Sequence, residues 1–377
     1  MGDIVPLCRP SIGEKEIEAV VATLRSGWMA HGEWNHKFER AFADYLSVPH
    51  AISMNSCTSA LEAALNVGGI RGEVVIPSMT FVATANSVVT AGGTPVFCEV
   101  DEATRNVTAA AIAERLTPRT EAVIVVHFGG QPCAMDEIRE LCERRSLFLI
   151  EDSAETLGAT WKGTQAGAFA VGCFSFFPTK NITTGEGGML TCRDEDFARK
   201  VRAFIAHGVF STTLEREKAT RPWFRAAGMA GHNFRMPNPL AAIGYHQLDR
   251  LDDFNRRRQA LAARYDRLLG ELPGIATPSV AREATHVYQM YTITAPEAAR
   301  DRIVHSMRAD GIGASVHFDP PVHLQPYYRE CGGREGQLPT TERLARSLIT
   351  LPMYPDLSES LQDKVVESLS RAVRACG

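Results

Sequence analysis

The stretch CFSFFPTKNITTGEGGML, residues 173–190, carries the reading of the fold. It opens on a short, nearly continuous apolar run, Cys173–Phe177, too brief for a helix and without the alternation of a half-exposed strand. Such a run suits a strand covered on both faces, hence a mainly parallel sheet wrapped by helices. The run stops at Pro178-Thr179-Lys180 and passes into a polar, glycine-rich loop, Asn181 to Gly188.

Similar runs lie upstream at Val74–Ile76, Ala122–Val126 and Leu147–Ile150, separated by helical stretches such as Asp136–Arg145. Alternation of this kind is the mark of an α/β fold. Nearer the N-terminus, Ser11 and Glu14 have the spacing of a capping box, and Ile17, Val20, Val21 and Leu24 share one helical face until Gly27. Asn238-Pro239 is expected to open one long helix through roughly Gly270, a bridge between domains. Beyond it the pattern becomes α+β. A strand near Tyr288–Thr294, a helix Glu297–Ala309 closed by Gly311 and a strand near Ile312–His317 are expected, then helices near Thr341–Ile349 and Ser358–Ala375. The expected organisation is a large domain over 1–250 and a smaller α+β domain over 251–377.

Composition narrows the function classes. Hydrophobic residues at 45% and charged residues at 22% are ordinary for a globular protein, and a net charge of −4 gives no general pull toward nucleic acid or anionic membrane. The basic run Arg256-Arg257-Arg258 sits beside Asp252 and Asp253 in a helical stretch, so a solvated helix face is expected. Nine cysteines, with no CxxC pair and no metal-ligand spacing, suit a reducing compartment and predict neither disulfides nor a metal site. Met1–Pro10 lacks the apolar core of a signal peptide, and no window reaches the ~18 apolar residues of a membrane span. A cytoplasmic, soluble protein is the plain expectation.

In open α/β sheets, ligands bind outside the carboxyl ends of the strands. There Leu147–Ile150 runs into Glu151-Asp152, and Cys173–Phe177 runs into Lys180. A lysine between an aromatic strand and a glycine-rich loop is either an ordinary exposed loop lysine or, as the residues below favour, partly desolvated, which promotes the neutral amine that attacks a carbonyl. Pyridoxal 5′-phosphate (PLP) chemistry needs an amine for the aldehyde, an anion for the ring nitrogen, donors for the phosphate and a flat partner for the ring. Lys180, Asp152, the Ser56-Cys57-Thr58-Ser59 turn before the helical stretch Ala60–Asn66, and Phe81 are candidates in that order. Hydroxyls and N–H groups converging at a helix N-terminus are a natural phosphate site.

These residues belong to a wider set of matching segments: SGWMAHG (26–32), NSCTSALEAAL (55–65), IPSMTFVATANSV (76–88), PVFCEVD (95–101) and VHFGGQPC (126–133). EDSAETLGA (151–159), the 173–190 stretch, GHNFRMPNPLAAIGYHQL (231–248) and HVYQMYTI (286–293) complete it. Together they resemble the sugar aminotransferase family often labelled DegT/StrS, a branch of the fold-type I PLP enzymes. The resemblance implies that Lys180 bonds to the cofactor aldehyde and moves the substrate proton, and that Asp152 pairs with the ring nitrogen. It implies that Thr58, Ser59 and Ser175 bind the phosphate, that Phe81 covers one ring face, and that Asn233 reaches the cofactor of a neighbouring subunit in a homodimer with shared sites. Glu155 stands where Gln or His is frequent, beside the cofactor's phenolate oxygen, and Gln289 stands where His is common. The cofactor would alternate between PLP and pyridoxamine 5′-phosphate. L-Glutamate would be the donor and a nucleotide-linked 4-keto-6-deoxyhexose, aminated at C4 or C3, the acceptor. Trp28, His31, Arg235, His317 and His323 are candidates for the substrate side. A keto-cyclitol aminated by glutamine or glutamate, a sugar dehydratase and a non-catalytic PLP-binding regulator are the competing readings; a lysine at 180 weighs against the dehydratase.

Overall fold

The structure, a computed structural model, describes residues 4–210, 220, 223 and 226–376. Met1, Gly2 and Asp3 of the N-terminal segment lie outside the described residues.

Two helices, α1 (Glu14–Ser26) and α2 (Glu33–Leu46), precede the first strand, β1 (His50–Met54), and helix α3 (Cys57–Val67) follows it. The strands β2 (Glu73–Pro77), β3 (Thr94–Cys98), β4 (Thr120–Val126) and β5 (Phe148–Asp152) alternate with helices. A two-residue hairpin, β6 (Thr160–Trp161) and β7 (Thr164–Gln165), leads to β8 (Val171–Ser175) and β9 (Gly188–Cys192). The seven-stranded sheet has the order β1-β9-β8-β5-β4-β2-β3. Its pairs are parallel except those made by β9, which runs against both neighbours.

The unalternating apolar runs have a direct cause. Val74 and Ile76 of β2 enter one apolar cluster with α3, while Val75 enters another with Ile138 and Leu141. Successive side chains point to opposite faces, and both faces are covered. Past residue 250, β10 (Tyr291–Thr294) pairs antiparallel with β11 (Leu348–Leu351). The helices Glu297–Ala309 and Glu359–Cys376 pack over this ribbon in a separate apolar cluster, which Val5 also joins.

Several local expectations need correction. Between 312 and 317 only single bridges form, Ile312 with Val5 and Ser315 with Thr350, in place of a strand. The helix expected through Ile349 ends at Ser347, because Leu348–Leu351 extends to pair with β10. The long helix from Asn238 is two helices, Asn238–Leu248 and Leu251–Leu269. The break places Arg250, whose guanidinium reaches Glu16 Oε1 (3.0 Å) and the Ser11 hydroxyl (3.0 Å). Ser11 is therefore engaged away from α1, whose cap is Gly13 with Glu16 accepting its N–H at 3.2 Å. The buried face of α1 is Glu16, Ala19 and Thr23, against Asn238–Leu248; the apolar Ile17, Val21 and Leu24 are exposed. Arg256 and Arg257 lie on a solvated helix face as expected, but Arg258 is 1% exposed and donates to the carbonyls of Tyr288, Gln289 and Met353.

Among the described residues no helix is long and apolar enough to cross a membrane.

Candidate active site

The carboxyl ends of β2, β4, β5 and β8 and the N-terminus of α3 surround a cavity of about 470 Å³. The C-terminal part closes its far side with Gln289, Met290, His317 and Phe318 from loops and Thr350 from β11. Lys180, Asp152, Thr58, Phe81, Glu155, Ser175 and His317 all line it. Thr58, Phe81, Asp152, Glu155, Ser175 and Lys180 meet because strands that end at one edge of the sheet bring their loops together, and the C-terminal part adds His317 from the far side.

Lys180 stands on a turn after β8, its N–H bonded to Phe177 O at 2.9 Å. Its side chain is 17% exposed, and Nζ lies 3.3 Å from Glu155 Oε1. Asp152 is the last residue of β5 and forms the floor. Its carboxylate accepts the Thr84 hydroxyl at 2.8 Å, the Ala154 N–H at 3.2 Å and, more weakly, the Cys57 thiol at 3.9 Å. Burial raises its pKa above the usual carboxylate value, since these neutral donors do not repay the lost hydration. Burial, with the charge of Asp152 as a second cause, also pushes the Cys57 thiol well up, so it stays a neutral neighbour.

At the head of α3, Ser56 is the N-cap: its hydroxyl oxygen accepts the Ser59 N–H at 3.1 Å and lies 2.9 Å from Ser59 Oγ. Ser59 is thereby drawn into the cap and does not line the cavity, whereas Thr58 is exposed to it. The turn can press against β9 only because Gly188 has no side chain; a Cβ there would lie 2.5 Å from Cys57 N. Phe81 is 62% exposed at the mouth, 6.3 Å from Phe318 between ring centroids. His317 Nδ1 lies 2.8 Å from Thr350 Oγ1, and burial lowers the imidazole's pKa, so the ring is neutral near pH 7.

A pyridine ring with a phosphate arm fits this arrangement. The buried Asp152 carboxylate calls for a cation, the cradle at α3 offers hydroxyls and the positive end of a helix, and a lysine amine sits between them.

Other candidates lie elsewhere. His323 is fully buried, with Nδ1 2.7 Å from Ser78 Oγ and Nε2 3.2 Å from Glu342 Oε1, so it ties two segments together and does not line the cavity. Both of its ring nitrogens are occupied, and it leaves the set of substrate candidates. Trp28 donates to the His31 carbonyl at 3.1 Å, and His31 approaches Glu39 at 3.6 Å. Asn233 accepts from Arg235 Nε at 3.1 Å. None of these four lines the cavity of its own chain.

Sequence reading passed over Thr84, the Gly129 N–H and Phe318. Thr84 has a legible signal, a threonine one helical turn after Thr80, and their hydroxyls lie 2.8 Å apart. Gly129 and Phe318 have none, because their relation to the site is set by contacts across the chain.

Fold and site together define a PLP-dependent aminotransferase. The chain belongs to the DegT/DnrJ/EryC1/StrS aminotransferase family, whose profile matches residues 10–370. It is 38% identical, over 98% of this chain and 97% of the other, to the spore coat polysaccharide biosynthesis protein SpsC of Bacillus subtilis strain 168. It superposes on the aminotransferase TlmJ from Streptoalloteichus hindustanus with a TM-score of 0.92, at 34% identity and 99% coverage of both chains. Spr1654 of Streptococcus pneumoniae, solved in PLP and PMP forms, is 26–27% identical with TM-scores of 0.92 and 0.94; its PLP form covers 100% of both chains.

Proposed function

We propose that the enzyme transfers the amino group of L-glutamate to a nucleotide-linked 4-keto-6-deoxyhexose, at C4 or C3, and releases an amino sugar. The observation that carries this reading is the cavity itself. Its inner end offers the lysine, the two carboxylates and the α3 cradle, while its mouth is walled by Phe81, Phe177 and Phe318. Aromatic faces beside an open mouth suit a deoxysugar ring whose nucleotide extends outward.

Lys180 Nζ would hold the cofactor's aldehyde carbon and, once freed as an amine by the donor, would take the proton from the donor's Cα and deliver it to that same cofactor carbon. Proton transfer by a positioned base is typically worth ~10²–10⁴-fold. Asp152 keeps a proton on the ring nitrogen through a charge-assisted hydrogen bond. Thr58, Ser59 and Ser175 bind the phosphate, Ser59 after its hydroxyl turns from the Ser56 cap, and Phe81 covers a ring face. The bound PLP supplies the carbonyl that accepts the amino group and a ring that draws electrons from the breaking C–H bond. His317, neutral and anchored on Thr350, offers its other ring nitrogen to the substrate.

Asn233, Arg235, Trp28 and His31 serve the site of a second copy in a homodimer. In support, none lines its own cavity, and Ile17, Val21 and Leu24 leave an apolar stripe on α1 uncovered. The large domain is proposed to span 1–250 and the small one 251–377, in an enzyme of the cytoplasm, where free thiols persist.

The test is an absorbance spectrum with PLP, before and after L-glutamate, on wild type and Lys180→Ala, followed by a screen of keto-sugars and keto-inositols. Wild type should show a band near the visible edge that glutamate removes, and the lysine variant neither band nor turnover. A variant that keeps both ends the assignment of Lys180. Amination of a keto-inositol in place of the sugar overturns the substrate.

A further inference from the structure

Asp152 and Glu155 place two carboxylates within one turn of chain at the inner end of the cavity, beside a single lysine. Asp152 has a task at the ring nitrogen. Glu155 has none assigned, and a negative charge next to the cofactor's phenolate oxygen is unfavourable unless something offsets it.

The geometry supplies the offset. Glu155 is 6% exposed, and its two oxygens are used differently. Oε2 accepts the Gly129 N–H at 2.8 Å, while Oε1 faces Lys180 Nζ at 3.3 Å. Gly129 is itself held. Its φ is +65°, which few other residues adopt without strain, and its carbonyl accepts the Met290 N–H at 3.2 Å. The carboxylate is therefore fixed before any cofactor arrives.

We propose that Glu155 is the counter-charge of the Lys180 nitrogen, a positioning residue that keeps the proton on Nζ while this nitrogen is bonded to the cofactor's aldehyde carbon. A protonated C=N carbon is the more electrophilic toward an incoming amine, and the proton on Nζ offsets the carboxylate's repulsion of the phenolate oxygen. The inference rests on the PLP assignment and is independent of which sugar is the substrate.

The other titratable groups around Nζ do not compete for this role. Asp152 is directed to the ring nitrogen. Cys57 on α3 and Cys8 on the N-terminal segment are thiols pushed up by burial, hence neutral. His317 from the C-terminal part is pushed down by burial and is also neutral, its Nδ1 tied to Thr350. Arg258, the cation beside Cys8, is committed to three backbone carbonyls. Glu186, which also lines the cavity, is exposed, so water screens it.

An opposite charge at this range typically moves a titration by about 1–3 pH units. The experiment is a spectrophotometric pH titration of the PLP-loaded wild type, Glu155→Gln and Glu155→Asp. The Gln variant should titrate about 1–3 pH units lower than wild type, and the Asp variant between them. An unchanged midpoint in the Gln variant overturns the proposal. A second arm uses cofactor-free protein: reductive methylation of Lys180 with formaldehyde and cyanoborohydride near neutral pH, read by mass spectrometry. Loss of the carboxylate should release the amine and speed methylation several-fold, and equal rates overturn the pairing. Should the wild type show no visible band, the PLP assignment has failed by itself, and the methylation arm still decides the Lys180–Glu155 pair.

Discussion

Replacing Asp152 with Asn should separate what the buried carboxylate does for the cofactor from what it costs the fold. With PLP bound and Asp152 in its proposed place at the ring nitrogen, the substitution exchanges a charge-assisted hydrogen bond for a neutral one. Hydrogen bonds to charged groups contribute about 1–1.5 kcal/mol more than neutral ones, so cofactor affinity should fall roughly 5–13-fold. Turnover should fall further, by about 10²–10³-fold in kcat, the usual effect of removing one preorganised charge partner. Without cofactor the sign reverses. Burial raises the Asp152 pKa from its usual 3.8, so its contribution to stability is complete below that value and is lost as pH rises through the higher native one. Asparagine does not titrate. It can keep the Ala154 N–H on its oxygen and offer its amide to Thr84, whose hydroxyl can turn toward Thr80. Cofactor-free Asp152→Asn should therefore be at least as stable as wild type at pH 7, and its lead should shrink as pH falls toward 4. Urea unfolding of both proteins across that range, with PLP titrations at pH 7, reads all three effects. A variant that binds PLP as tightly as wild type, or whose cofactor-free form is equally destabilised at both pH values, refutes the reasoning.

Arg258 and Arg257 are adjacent in the sequence but should behave oppositely. Arg258→Met strands three buried carbonyls and should lower stability by about 3 kcal/mol in urea unfolding, whereas Arg257→Ala, losing exposed pairs with Asp253 and Asp356, should change it by less than about 1 kcal/mol. His286 is pushed down to about 3, first by burial and then by Arg105, so its contribution to stability should be lost as pH falls from about 6.5 toward 3. His286→Gln should flatten the acid limb of a stability–pH curve, and an unchanged slope would remove this histidine from the account.

The central strands were legible because each buries alternate residues in two separate cores, which removes polar residues from the run. β1 and β9 escaped notice because each holds a buried polar residue satisfied by a partner outside its own strand. The Ser53 hydroxyl donates to Glu39 Oε1 at 2.8 Å, and the Thr191 hydroxyl donates to the Gly167 carbonyl at 2.7 Å. A polar side chain inside a strand is tolerated when its partner is in place, and that partner is invisible in a local window. β3 was obscured by Pro95, which only an edge strand accommodates, and β3 is the edge of the sheet.

Lys180, Asp152, the hydroxyls before α3 and Phe81 could be named from the chain alone, because each stands where an apolar run gives way to polar residues and the chemistry of one cofactor accounts for the set. Which face of α1 is buried, where the helix after Asn238 breaks, and that Arg258 is interior while Arg257 is not were decided by tertiary packing. The same holds for Glu155 facing Lys180 and for His323 facing inward. Periodicity records only that a helix has a face and a strand has two sides. What lies opposite is set by segments tens to hundreds of residues distant, and the desolvation of a charge, with the partner that offsets it, exists only once those segments meet.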